Sequence, residues 1–438
     1  MPPDPREDDD ARPALAEALS THDDPIDAAR AAAQSARASL GAAPDLAIGF
    51  VTPPFAQRVG MIADTIRDTL GATHMLLMTA SAVMGGDAEI QGRPAVALLA
   101  AKLPGVHIHP YWVSSASVSG TDPRIAETLG SVIGVSDSMA CSLFFADPFS
   151  VPLVHLVPAL SASRVSYTDN AGNPRPIGTI LGGMASGATT PGHNALFLDG
   201  EIRNHGAMGV TLSGPLRVDT IVSQGCRPIG RPMVVTKSRG NLILELSGDP
   251  ALEAVRASMQ GLSDDDRSLL SGGLLLGRVI REDKSRFGRG DFLIRTIMGA
   301  DEQSGAVAVG DLVNPGQTVQ LHLHDARTAR EDLALLLDAQ RLYERPAGAL
   351  MISCTGRTSA FFDEPAHDAR ALRHAFAPTP DGATLAKSGE EIGEDASAIP
   401  LAGFFAAGEI GPVGHEIFHH GHTAIAALFR APETINIK

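Results

Sequence analysis

The chain has 438 residues and a formal charge of −15, with 44% hydrophobic but only 4% aromatic residues. That length allows two or three domains with cores of Ala, Leu, Val and Ile, and the acidic balance excludes nucleic acid as a main partner, because phosphate binding needs clustered Lys and Arg. No apolar run reaches the roughly 20 residues of a membrane span, and the three scattered cysteines, Cys141, Cys226 and Cys354, make neither a disulfide framework nor a CxxC metal pattern.

Residues 1–24 open with MPPDPREDDDARP, which lacks the basic start and apolar run of a signal peptide. The stretch is charged and Pro-bearing, and it is expected to be a disordered acidic tail. With the reduced cysteines, this predicts a soluble, cytoplasmic protein.

From residue 25 the chain repeats one unit three times: an apolar strand, a helix, a second strand ending in small residues and Gly, then a return strand. The first copy runs from LAIGF (Leu46–Phe50) through TASAVMGG (Thr79–Gly86) to EIQGRPAVALLA (Glu89–Ala100). Helices are predicted before and inside it, at Asp27–Leu40 and Phe55–Leu70, the latter with Val59, Ile62, Ile66 and Leu70 on one face. The second copy runs from CSLFFAD (Cys141–Asp147) through LGGMASG (Leu181–Gly187) to EIRNHGAMGVTLS (Glu201–Ser213). VHIHPYWV (Val106–Val113) precedes it as an alternating strand, and helices are expected at Pro123–Leu129 and Pro152–Leu160.

LRVDTIVSQ (Leu216–Gln224) reads as a strand and GCRPIG (Gly225–Gly230) as a turn. Met233–Gly248 reads as a hairpin reversing at Arg239, Gly240 and Asn241. A boundary is placed near Asp249, dividing a domain of residues 25–248 from one of 249–438. Beyond it, Leu274–Ile280, Asp291–Gly299, Gly305–Asp311 and Thr318–Asp325 predict a four-strand antiparallel meander, followed by a helix at Ala326–Leu342. The third copy runs from ALMISCTGR (Ala349–Arg357) through AGFFAAGEIG (Ala402–Gly411) to HHGHTAIAALF (His419–Phe429), interrupted by an acidic loop insertion at 378–398. The fold class expected is α/β: two domains of mixed sheets built from these units, with helices outside.

Each unit brings Gly-rich backbone to a strand end, where a small molecule can approach main-chain N–H groups. In SCTGR, Cys354 falls on the strand end, Thr355 and Gly356 in the turn and Arg357 just beyond it. An Arg guanidinium there suits a ligand carboxylate; the plainer reading pairs Arg357 with an acid and leaves Cys354 a small buried hydrophobe. In the facing GEIGPVG segment, Gly408 and Glu409 follow the second strand. Glu409 suits a ligand amine, or an ion pair with Arg357. The corresponding turns of the first two copies hold Glu89 and Asn194.

HEIFH (His415–His419) matches the spacing of a zinc-protease helix, but Gly411, Pro412, Gly414 and Gly421 around it oppose helix formation. The cluster His415, His419, His420 and His422 still offers imidazoles to a metal or a haem iron. A hydrolase using Cys354 with His367, or a metal hydrolase at the His cluster, also stays open. No cofactor is predicted, with haem as the candidate if there is one. GGMASG lacks the GxGxxG spacing, and neither a GxxxxGK[ST] loop nor a GxSxG elbow occurs.

Several blocks in order resemble the FIST family. GGMASG, LFLDGEI, VSQGCRPIG and VVTKSRGNLILELSG are similar to its N-terminal domain. FLIRTIMGAD, GDLVNPGQTVQLHLHDA, ISCTGR, GFFAAGEIGPVG and a closing HTA are similar to its C-terminal domain. The likeness covers residues 44–431. It implies a bacterial type of cytoplasmic sensory module that binds small ligands, amino acids among them, beside signalling output domains. Some members resemble haem-binding nitric-oxide sensors, and a eukaryotic branch carries an F-box. It also implies that Arg227, where the likeness is strongest, lines a ligand cavity, although a structural corner fits the same residues. The sequence shows no kinase, cyclase, methyl-accepting or F-box segment, so the output is expected from a separate signalling partner.

Overall fold

A computed structural model describes residues 12–114, 124–284, 286–377 and 398–432. The described chain divides into two compact units, one of Ser223–Ala334 with Phe418–Thr423, the other holding the rest. The fold is α/β with mixed sheets.

The larger unit is built from three copies of one pattern, and strand pairing explains why the motif repeats. Copy one comprises β1 (Ala14–Ser20), α1 (Pro25–Leu40), β2 (Leu46–Val51), α2 (Val59–Leu70), β3 (His74–Thr79), the hairpin β4 (Ala82–Gly85) and β5 (Ala88–Gln91), and β6 (Val96–Lys102). Copy two comprises β7 (His107–Val113), α3 (Ile125–Ile133), β8 (Met139–Ala146) and α4 (Leu153–Ser163). A small hairpin, β9 (Ser166–Thr168) and β10 (Pro174–Pro176), then leads to β11 (Thr179–Met184), the hairpin β12 (Leu196–Leu198) and β13 (Glu201–Arg203), and β14 (Ala207–Ser213). Copy three begins at β15 (Arg217–Gln224) and is interrupted by the smaller unit.

That smaller unit contains β16 (Cys226–Arg239), β17 (Leu242–Leu246), β18 (Asp249–Pro250), α5 (Ala251–Gln260), α6 (Asp264–Leu269), β19 (Leu274–Val279), β20 (Phe292–Asp301), β21 (Ala306–Val309) and β22 (Thr318–His324). Its pairing order is β16, β22, β19, β20, β21, β17, and β17 pairs back onto β16, so six strands close into a ring. Ile229, Val235, Ile243, Leu276, Val307, Val319 and Leu321 fill its core, with Ala251 and Val255 of α5 packed against them. Two expectations change here. The four-strand meander is a three-strand one, because β22 returns to the far side of β19 and pairs with β16. GCRPIG is not a reversing turn: Cys226 to Ile229 pair with His324 to Leu321, and Gly230, at φ 61°, lies in a bulge before Met233. The Pro and Gly signal marks a strand irregularity.

Copy three resumes with α7 (Ala326–Gln340), β23 (Gly348–Cys354), α8 (Ser359–Phe362), α9 (His367–His374), β24 (Leu401–Ala406), the hairpin β25 (Glu409–Val413) and β26 (Glu416–His420), and β27 (Thr423–Arg430). The acidic insertion at 378–398 lies, up to residue 397, outside the described residues. In each copy the first two strands are parallel, β2 with β3, β8 with β11 and β23 with β24, and the return strand runs antiparallel to the first.

The three copies interlock by exchanging hairpins. The β4–β5 hairpin of copy one pairs with β24, the β25–β26 hairpin of copy three pairs with β11, and the β12–β13 hairpin of copy two pairs with β3. Each six-stranded sheet therefore ends in strands from another copy. The boundary read near Asp249 does not divide the compact units, because strands from both sides of it pair within each unit.

Of the tail expected over residues 1–24, residues 1–11 lie outside the described residues, and Ala14–Ser20 form a strand instead. Ala14 to Ser20 pair antiparallel with Lys102 to Val96, and Leu15 joins the central core. Asp24 caps α1, accepting from the Ile26 and Asp27 N–H groups at 2.9 and 3.0 Å. Alternating Leu15 and Leu19 supply the strand signal that the charged residues around them obscure.

Alternation decides which faces meet. Leu46, Ile48 and Phe50 face a core shared with Leu143, Phe145, Ile352 and Phe404, whereas Ala47, Val51 and Leu77 face the helices α1 and α2. The helices thus lie outside, as read from sequence. At the centre three phenylalanines meet, one per copy: Phe50 stacks on Phe404 at 4.7 Å, and Phe145 stands edge-on to both at 6.2 and 6.0 Å.

Candidate functional site

Immediately beyond the aromatic centre, the second strands of all three copies end together. β3 runs into Ala80 and Ser81, β11 into Ala185 and Ser186, β24 into Ala407 and Gly408. The Ser81 N–H donates to Ser186 Oγ at 2.9 Å, the two hydroxyls lie 3.1 Å apart, and the Ser186 hydroxyl donates to the Phe405 carbonyl. The Ala407 N–H bonds the Met184 carbonyl at 3.1 Å, and the Met184 N–H bonds the Gly408 carbonyl at 2.8 Å. Ser81 and Ser186 are half-buried and Ala407 is exposed, so this junction opens to the outside. Carboxyl ends of parallel strands are where α/β folds bind ligands.

A second network supports it. Asn194 donates to Asp147 at 3.0 Å and accepts from the Ala188 N–H at 3.0 Å and from Thr79 Oγ1 at 3.4 Å. Thr79, Asn194 and Asp147 are buried. Their bonds satisfy polar groups that would otherwise be costly there, and they fix the loop after Ser186.

The SCTGR turn closes the third side. The Thr355 N–H donates to the Ala406 carbonyl at 3.0 Å, and Thr355 and Gly356 are exposed. Cys354 is half-buried, with the Gly356 N–H 3.5 Å from its sulfur. Arg357 turns inward and is 1% exposed. Its Nε and Nη2 grip Asp368 at 2.8 and 2.9 Å, Ser353 donates to the same carboxylate at 3.1 Å, and the guanidinium lies 5.3 Å from the Phe362 ring. Glu409 is fully buried opposite Gly183 on β11, and a Cβ on that glycine would meet Ile352 and Ala406 at 2.8 and 3.0 Å.

Arg357 and Glu409 are thus both buried, at the ends of β23, β24 and β25. The acid that Arg357 grips is Asp368, which carried no signal in the sequence beyond its place at the start of α9. Several of the strand-end glycines likewise serve close packing: a Cβ at Gly182 would lie 1.7 Å from the Phe144 carbonyl oxygen.

Glu89, on the hairpin lent by copy one, accepts from the Ser359 N–H at 3.1 Å and its hydroxyl at 2.9 Å. Burial pushes its carboxyl up from the ordinary range, and the charge of Asp368 adds to this, against the Ser359 bonds. Asp363 and Ala366, both at φ 51°, shape the loop between, a conformation that non-glycine residues rarely hold.

Arg227 belongs to the smaller unit, where it bonds Asp325 at 3.0 Å and Asp266 at 2.5 Å; it thereby ties β16 to α6 and to the residue before α7. His415 lies exposed in the hairpin turn, where its carbonyl accepts from Arg164 at 2.6 Å. His419 and His420 are neighbours on a strand, so their side chains leave opposite faces. His422, at φ 60°, packs on His324 at 4.7 Å. HEIFH is not helical, as its flanking glycines implied: His415 lies in the turn and Glu416–His420 form β26, and among the described residues no group of three or more His, Cys, Asp or Glu is placed to hold a metal. His367, the partner considered for Cys354, bonds Glu364 at 3.0 Å and packs on Phe362 at 4.4 Å.

What sequence reading missed is the serine pair. Its signal was present: TAS and MAS close the second strand in copies one and two, with the hydroxyl at the same position of each.

The family description FIST N domain matches residues 45–249, and FIST C domain matches residues 251–412. Two uncharacterized proteins of Mycobacterium tuberculosis, from strains CDC 1551 / Oshkosh and ATCC 25618 / H37Rv, are each 34% identical over 419 residues, covering 94% of this chain and 98% of the relative. One of Mycobacterium bovis is also 34% identical, over 94% of this chain and 97% of its own length. Among solved structures, a cyanuric acid hydrolase from A. caulinodans overlaps 96% of this chain and 100% of its own at 10% identity, with a TM-score of 0.29, too low to bear on either fold or activity. No helix of the described residues is long and apolar enough to cross a membrane.

Proposed function

Because this chain belongs to the FIST family and carries its N and C domains in order, we propose that it is a sensory protein whose small ligand rests on the junction of β3, β11 and β24. FIST domains are associated with sensory signalling and small-ligand binding. The observation that carries the reading is the Ser186 hydroxyl, half-buried and bonded at once to Ser81 of copy one and to the Phe405 carbonyl of copy three. A ligand that exchanges bonds with this hydroxyl touches all three copies, and so acts on how they interlock.

The polar groups around the strand ends are Ser81, Ser186, Thr355, Ser359 and Glu89. Hydroxyls with one carboxylate suit a small metabolite bearing an amine, of amino-acid type. Arg357 and Glu409 act beneath it: the Arg357–Asp368 pair holds the Cys354–Gly356 turn against the end of β24. The signal passes to a separate partner protein.

The test is a thermal-shift screen of the full chain against amino acids and related amines, repeated with Ser186→Ala and Glu89→Gln. A ligand at a hundredfold excess over its dissociation constant stabilises by about 2.7 kcal/mol. We expect a shift that both variants lose. No shift with any of these metabolites, a shift that both variants keep, or a Soret band in the purified protein would each overturn the reading.

A further inference from the structure

In the smaller unit two arginines converge on a single carboxylate oxygen. Arg295 Nε bonds Asp311 Oδ2 at 2.8 Å, and Arg278 Nη2 approaches the same oxygen at 3.3 Å. The other Asp311 oxygen accepts from the Leu312 N–H at 2.8 Å. Leu276 pairs with Arg295 across β19 and β20, and Arg278 lies two residues along from Leu276, so the two guanidiniums share a face. Arg295 is 8% exposed and donates through Nη1 to the Ile294 and His419 carbonyls. Among the described residues Arg278 makes no other ion pair, and its Nε is buried without a hydrogen-bond partner.

Two guanidiniums and one carboxylate leave an excess positive charge in a half-closed position, and buried charge is stable only when it is matched. His419, beside Arg295, adds no compensating charge: burial and that arginine's charge hold it neutral. We infer that Arg278 and Arg295 form a binding site for a compact oxyanion, a carboxylate or a phosphate, seated on the side of Asp311 that Arg278 faces. The N–H fork of a guanidinium matches planar carboxylate and tetrahedral phosphate alike. The opening is narrow, with 22% of the Arg278 and 9% of the Arg295 side chain exposed. None of the site's residues belongs to the strand-end junction.

The experiment follows melting of the full chain in inorganic phosphate and, separately, in acetate, each against chloride at equal ionic strength. At least one oxyanion is expected to raise the melting temperature beyond the chloride control, and the arm that does so identifies the group. Arg278→Gln, at the more exposed arginine, should weaken that response at least about tenfold in half-saturating concentration, the loss of one charge-assisted bond. Asp311→Asn, which removes the competing carboxylate, should strengthen it. A response absent in both arms, or unchanged in both variants, would overturn the site.

Discussion

Arg357 and Asp368 form a bidentate ion pair with both partners buried, at 0% and 3% side-chain exposure. The pair links the turn after β23 to the start of α9, and Ser353 on the strand itself completes it. An exposed ion pair contributes little, but removing one member of a buried pair strands the other in a medium that cannot solvate it. Asp368→Ala is expected to cost about 3–5 kcal/mol. The double variant Arg357→Met with Asp368→Leu should recover most of this, because it removes both charges. Urea midpoints of the three proteins decide: an Asp368→Ala protein as stable as the parent would mean that the pair does not hold the turn.

Gly182 sits where β11 lies between β8 and β25, and an added Cβ would fall 1.7 Å from the Phe144 oxygen and 2.6 Å from its carbon. Those are backbone atoms of a paired strand and cannot rotate away. Gly182→Ala should therefore destabilise by about 3 kcal/mol, the upper end for over-packing. Gly60, inside α2, meets only the tip of the half-exposed Ile202 at 3.0 Å. Gly60→Ala should be neutral or stabilise by up to about 1 kcal/mol through helix propensity. Both are read from denaturation midpoints, and equal effects would contradict the packing account.

The repeat was legible because each copy repeats local signals: an apolar strand, a helix and a small-residue strand end. How the copies interlock was not. The exchanged hairpins pair residues far apart in the chain, such as Phe404 with Val83 and Gly183 with Glu409, and no local preference encodes which sheet edge receives them. β1 was hidden because its alternation, ALAEALS, is built from small residues beside a charged run. Asp368 was invisible for a related reason: an acid in the first turn of a helix usually has a sufficient local explanation. Here it is 3% exposed and turned inward to Arg357.

Ser81 and Ser186 touch each other, but they are not equivalent. Ser186 Oγ accepts the Ser81 N–H and donates to the Phe405 carbonyl, while the Ser81 hydroxyl has Ser186 as its partner. Removing the Ser186 hydroxyl leaves a half-buried donor and acceptor unmet, so Ser186→Ala should cost about 1–3 kcal/mol. Ser81→Ala loses one bond between hydroxyls and should cost about 1 kcal/mol or less. Reversal of that order in thermal or urea unfolding would remove Ser186 from the centre of the junction.

Acid should destabilise the smaller unit through its buried histidines. Burial lowers His322 to about 4, and burial together with the charges of Arg295 and His420 lowers His419 to about 3. Both groups are neutral in the folded chain and take up protons on unfolding below the ordinary histidine value of about 6.5. The unfolded state then binds more protons, so stability rises with pH in this window. The contribution is full above pH ~6.5 and is lost as the pH falls toward the folded values. Glu17 and Glu89, whose carboxyls burial raises, act in the opposite direction: their contribution is present at low pH and lost as the pH rises through their folded values. Urea midpoints between pH 7 and 4.5 should therefore fall with acid, and His419→Asn, which cannot titrate, should flatten the slope. A slope identical in parent and variant would show that His419 takes up its proton as readily folded as unfolded.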